Sequence, residues 1–173
     1  MKKISTLILG LLIIAGSSSF AQEKKKSPAV TLDSTIDATQ IIIKYSSPSM
    51  RGRDIYGDLV PFNKLWRAGA NEATTVEFST DVLIEGKKLP AGIYSFFVTP
   101  KESGKWSVVF NSDSKQWGAY KRDAEADKLV VNVPTKKIDE TEKLTYRVDK
   151  NHVYLDWEKT RLFFTVATLF EKD

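Results

Sequence analysis

Short runs of alternating apolar and polar residues follow one another from Gln40 to Val166, and none keeps a helical period for long. The run QIIIKY (40–45) is rich in β-branched residues and predicts a strand buried on both faces. In 75–79, Val76 and Phe78 point one way while Thr75, Glu77 and Ser79 point the other. A short strand at 82–85 follows. Leu89-Pro90-Ala91-Gly92 then has Pro and Gly where a type I turn wants them. The segment 93–99 returns as a strand and pairs with 106–110 across a Gly-containing loop.

The C-terminal third repeats the pattern. Leu129, Val131 and Val133 share a face, as do Leu144, Tyr146 and Val148. So do Val153, Leu155 and Trp157, and then Leu162, Phe164 and Val166, which predicts a common core for Trp157 and Phe164. Turn chemistry is expected at Pro134, at Asp139-Glu140, at Asp149-Lys150-Asn151 and at Glu158-Lys159. Two short helical pieces are expected, one from Pro61 to Trp66 and one from Asp123 to Lys128. Roughly eight to ten strands without crossover helices predict an all-β fold, an antiparallel β-sandwich or flattened barrel.

The leader changes the picture of where this domain works. Lys2 and Lys3 precede a short apolar run from Leu7 to Ala15, and Ser19 and Ala21 give a small-residue cleavage site. The expected division is a signal peptide at 1–21, a flexible segment at 22–29 and a single β domain at 30–173. The expected location is periplasmic or secreted, with no membrane span after cleavage. Loss of Lys2 and Lys3 lowers the formal charge from +4 to +2, so charge gives no support to a nucleic-acid partner. The chain has no Cys, hence no disulfide framework, no thiol nucleophile and no lipid-bearing cysteine.

Candidate chemistry is sparse. The single His, His152, opens a strand on its outward side with Tyr154 and Asp156. Zinc needs three or four good ligands, and a Ser-His-Asp triad needs a nucleophile motif that is absent here. Gly52 stands alone and cradles no phosphate, and no D-x-D-x-D-G calcium loop occurs. Asp113, Asp123, Glu125 and Asp127 read as a solvated acidic stretch. No metal and no cofactor is expected.

Two segments concentrate residues that bind things. In 45–74 these are Arg51, Arg53, Trp66, Arg67, Asn71 and Glu72, and in 111–123 they are Trp117 and Tyr120 around Gly118. Arginine forks and aromatic faces on loops suit a sugar, a peptide or an anionic small molecule. The same residues also make sense as a tied corner. Arg67 and Glu72 would then form an ion pair across Ala68-Gly69-Ala70, with Gly69 permitting a backbone that other residues resist. Arg51 and Arg53 share strand parity and would cover a sheet edge.

The segments YSSPSMRGR (45–53), 55–57, 59–61, WRAGANEAT (66–74), KLPAGIYS (88–95) and QWGAY (116–120) resemble in order and spacing the secreted bacterial family called domain of unknown function 2911. The resemblance covers nearly all of 30–166. It implies export and a β-rich domain, and it carries over no catalytic residue. The leading expectation is a non-enzymatic module that binds a small molecule, a glycan or an envelope protein through the 45–74 loops with Trp117 and Tyr120. An envelope glycan or ester hydrolase using Glu72 and a structural module without a pocket are the alternatives.

Overall fold

The computed structural model describes residues 26–169; the expected signal peptide at 1–21 lies outside the described residues. Ten antiparallel strands form two sheets packed face to face, a sandwich that does not close into a barrel. In chain order they are β1 (Ala29–Ile36), β2 (Thr39–Ser46), β3 (Thr75–Phe78), β4 (Val82–Ile84), β5 (Lys87–Leu89), β6 (Gly92–Thr99), β7 (Trp106–Asn111), β8 (Asp127–Val133), β9 (Thr135–Asp149) and β10 (His152–Thr168). One sheet has the order β1-β2-β3-β6-β7-β8, and the other β5-β4-β10-β9.

Parity decides what lies between the sheets. Ile41, Ile43, Val76, Phe78, Phe96 and Phe110 face inward from the larger sheet. Leu144, Tyr146, Trp157, Leu162, Phe164 and Val166 meet them from the smaller one. Phe164 lies 5.7 Å, ring centre to ring centre, from both Phe96 and Phe110, so the expected core partners do share one interior with Trp157. Tight turns with left-handed residues set the registers. Asp37 joins β1 to β2, Glu85 and Gly86 join β4 to β5, and Lys150 joins β9 to β10, all at positive φ.

Several local expectations give way to tertiary pairing. Ile42 is only half-buried and Gln40 and Lys44 are exposed, so β2 buries one face. The expected breaks at Asp139-Glu140 and Glu158-Lys159 are not chain reversals. β9 and β10 run through both, and Glu158 opposes Thr141 between two register shifts. Two polar interruptions facing each other across a ladder are absorbed as one irregularity, with Glu158 at φ 55°. No helix forms at Pro61–Trp66, because Trp66 instead pairs its backbone with Val98 in both directions, at 2.7 and 2.8 Å. The second helical piece shrinks to one 3-10 turn, Ala124–Ala126, capped by the Asp123 side chain.

One packing feature positions the loops. Phe97 and Val109 are buried although they point away from the intersheet core. They form a second cluster with Ala73, against which Leu65 and Ala119 pack. The segments before β3 and after β7 therefore lie across the outer face of the larger sheet. Burying two apolar side chains there stabilises that cover by roughly 1.5–3 kcal/mol each.

Candidate functional site

The corner at 66–74 is held from several sides. The Trp66 indole stacks on Trp157 at 5.8 Å and donates Nε1–H to the Gly69 carbonyl at 3.1 Å. The Ala68 carbonyl accepts from the Tyr146 hydroxyl at 2.9 Å and from Thr74 Oγ1 at 3.0 Å. Burial holds the Tyr146 phenol well above its ordinary pKa. Ala70 N–H donates to the Ser46 carbonyl, and Thr74 N–H to the Arg67 carbonyl.

The left-handed backbone falls on Ala68 (φ 53°) and Asn71 (φ 60°), which corrects the expectation for Gly69. Gly69 is required for space instead. A Cβ there would lie 2.8 Å from Thr74 Oγ1 and 3.2 Å from the Ser46 carbonyl oxygen. With Asn71 in the left-handed region, the chain turns before Glu72, and its side chain leaves on a different side from Arg67. Among the described residues no ion pair joins Arg67 to Glu72, so the expected internal pair does not form.

The loop after β7 is knitted around Asn111. Its amide donates to the Asp123 carbonyl and to Asp127, both at 2.7 Å. It accepts from Gln116 Nε2 at 2.9 Å. Arg122 pairs with Asp127. Asp123 and Asp127 of the acidic stretch are thus structural parts of this loop. Its tip meets the corner at one joint: Ala73 N–H donates to the Gln116 carbonyl at 2.9 Å, and Glu72 opposes Trp117 in a single antiparallel bridge.

Clefts lie to either side of that joint. A cleft of about 560 Å3 runs over the outer face of β1–β3, lined by Thr31, Lys44, Ser46, Thr75, Lys115 and Gln116 together with Glu72 and Trp117. A neighbouring one of about 280 Å3 is lined by Lys26, Ser27, Asn71, Glu72 and Trp117. Trp117 is 65% exposed on the ridge between them. Asn71 is anchored, donating Nδ2–H to Ser46 Oγ at 3.1 Å. A third cleft, of about 390 Å3, contains Trp66, Arg67 and Tyr120.

The expected binding residues are therefore divided. Asn71, Glu72 and Trp117 come together, and Trp66, Arg67 and Tyr120 come together elsewhere. Arg51 and Arg53 line none of these three clefts. Arg51 sits in a turn at φ 52° and donates to the Lys26 carbonyl, while Arg53 donates to the Met50 and Ser49 carbonyls. They tie a turn that lies along the β9 edge, where Ser49 bridges Lys143 and the Met50 and Arg51 N–H groups donate to the Glu142 carbonyl and side chain. Lys44, Ser46, Thr75 and Lys115 join the first cleft without having been singled out. For Lys44 and Thr75 the signal is parity: they alternate with the inward Ile43 and Val76 and pair across β2 and β3 on the outer face. Among the described residues no group of three or more His, Cys, Asp or Glu is placed to hold a metal ion.

Fold and loops together define an all-β two-sheet domain whose outer face carries loop-built clefts. A family model described as a protein of unknown function, DUF2911, matches residues 27–166, and the chain belongs to that family. No curated protein and no solved structure matches it.

Proposed function

We propose that this is an exported, non-enzymatic module that binds a glycan along the ridge formed by Glu72 and Trp117. The observation that carries this reading is the exposure of Trp117 between two clefts that share it with Glu72. A flat indole offers its face to the apolar face of a sugar ring. Glu72, Ser46, Thr75, Lys44 and Lys115 supply acceptors and donors for hydroxyls around it. Glu72 is the one carboxylate lining either cleft. Glycoside hydrolysis by the usual route needs two facing carboxylates, which favours binding over cleavage.

Among the described residues, no helix is long and apolar enough to cross a membrane. Export rests on the leader and is tested by mass spectrometry of the secreted product, which should begin at Gln22; a retained leader would defeat it. Binding is tested by titrating cell-wall glycan fragments into the mature chain and reading intrinsic fluorescence and calorimetry. Saturable binding that Trp117→Ala abolishes and Glu72→Gln weakens is the expected result. Binding unchanged in both variants, or none across a broad panel of envelope glycans, would overturn the reading.

A further inference from the structure

The chain contains six arginines, and among the described residues five of them donate side-chain hydrogen bonds within the fold. Arg67 is the exception. Its Nε is buried without an acceptor, and none of its guanidinium nitrogens enters a hydrogen bond or ion pair. A buried N–H left unmatched is costly, and the asymmetry between matched and unmatched donors is what makes such an atom informative. Arg67 lines the 390 Å3 cleft, which shares no lining residue with the clefts beside Glu72 and Trp117.

The lining of this cleft has a definite chemistry. Leu59, Val60, Pro61, Leu65 and Trp66 make it apolar, Lys64 and Arg67 are its charged members, and no carboxylate lines it. Tyr120, 88% exposed, stands beside Ala119 at its mouth. The Tyr120 ring lies over Gly118, where a Cβ would come 3.0 Å from Tyr120 Cδ2 and φ is +70°. A volume of 390 Å3 is at the small end of the roughly 300–1,000 Å3 typical of small-molecule sites.

We propose that this cleft is a second binding site, for a small organic carboxylate with an apolar body. The two Nη groups of Arg67, unpartnered and, unlike Nε, not buried, can meet a carboxylate end-on through two parallel hydrogen bonds, and Lys64 adds a second positive charge. The apolar walls take the body of the ligand, and the Tyr120 ring borders it. The inference is independent of the glycan reading, because the residues and the chemistry are different.

The test uses the mature chain with phenylacetate and hexanoate as probes, beside phenylacetamide, hexanamide and inorganic phosphate, read by ligand-observed NMR and calorimetry. The expected result is saturable binding of at least one carboxylate, with its amide bound about tenfold or more weakly, as loss of charge-assisted hydrogen bonds implies. Arg67→Met should weaken the carboxylate by a similar factor, and Glu72→Gln and Trp117→Ala should leave it unchanged. Should Arg67→Met fail to fold, Lys64→Gln and the exposed Tyr120→Ala take its place, each expected to weaken binding severalfold. Carboxylates bound no better than their amides, phosphate bound in preference to both probes, or binding indifferent to these variants would overturn the proposal. In that case the Arg67 stem is only covering apolar surface.

Discussion

Glu72 and Trp117 oppose each other in a single antiparallel bridge, and both side chains border the same two clefts. The residues come from loops 45 positions apart in the sequence, and the bridge is where those loops meet. Trp66, Trp106 and Trp157 are buried, so Trp117 is the one tryptophan of the chain largely open to solvent. Acrylamide should therefore quench a single tryptophan component efficiently, and Trp117→Phe should abolish that component. The variant should unfold within about 1 kcal/mol of the wild type, as expected for an exposed position. Comparable quenching of several tryptophans would contradict the packing described above.

At Gly69 the constraint is space, not φ. Gly69→Ala brings a methyl against Thr74 Oγ1 and the Ser46 carbonyl, and the latter is backbone that cannot rotate away. A loss of about 1–3 kcal/mol is expected, the range for overpacking a tight site. Chemical denaturation measures it, and the double variant with Thr74→Ser should recover little, since the hydroxyl that clashes is retained.

Trp157 is 1% exposed and stacks on Trp66, with Nε1–H directed to the Glu142 carbonyl at 3.3 Å. Trp157→Ala should cost about 3–5 kcal/mol in urea unfolding. A loss below about 1 kcal/mol would mean that this indole does not bridge the sheets.

Tyr56 gives a prediction of the opposite sign. Its ring packs 4.7 Å from Trp106, yet its buried hydroxyl has no hydrogen-bond partner. Tyr56→Phe removes a stranded polar atom and keeps the ring, so stability should stay level or rise by up to about 1 kcal/mol. Burial raises the Tyr56 and Tyr146 pKa values above the ordinary tyrosine value. A folded pKa above the unfolded one stabilises fully below about pH 10, and the contribution is lost as pH rises beyond it. Melting temperature should therefore fall above about pH 10, with these phenols ionising as the chain unfolds, seen as tyrosinate absorbance rising together with loss of circular dichroism. Tyrosinate signal from all six tyrosines in a chain that is still folded would refute this.

The sandwich was legible because parity is a strong local signal. Leu129, Val131 and Val133 announce a buried face without reference to any other part of the chain, and that face is buried. Glu158 was misread because a polar pair between apolar runs looks the same whether the chain reverses or bulges; only its partner Thr141 tells them apart. The candidate residues were largely visible by type, but their grouping was not. Arg67 and Glu72 are close in sequence, and it is the left-handed backbone at Ala68 and Asn71 that sends them to different clefts. Positive φ at an alanine leaves no mark in composition.

The stack of Trp66 on Trp157 reaches beyond stability. Trp66 is fixed through its backbone to Val98 and through its indole to the opposite sheet, and Arg67 is the next residue in the chain. The root of the Arg67 side chain is thereby preorganised by the core itself. A carboxylate bound as proposed above would meet a cation whose backbone has already lost its conformational entropy during folding, so that part of the cost of association is absent from the binding step. Loosening the stack from the Trp157 side, outside the lining of the cleft, would then weaken the proposed capture, an affinity set from inside the sandwich.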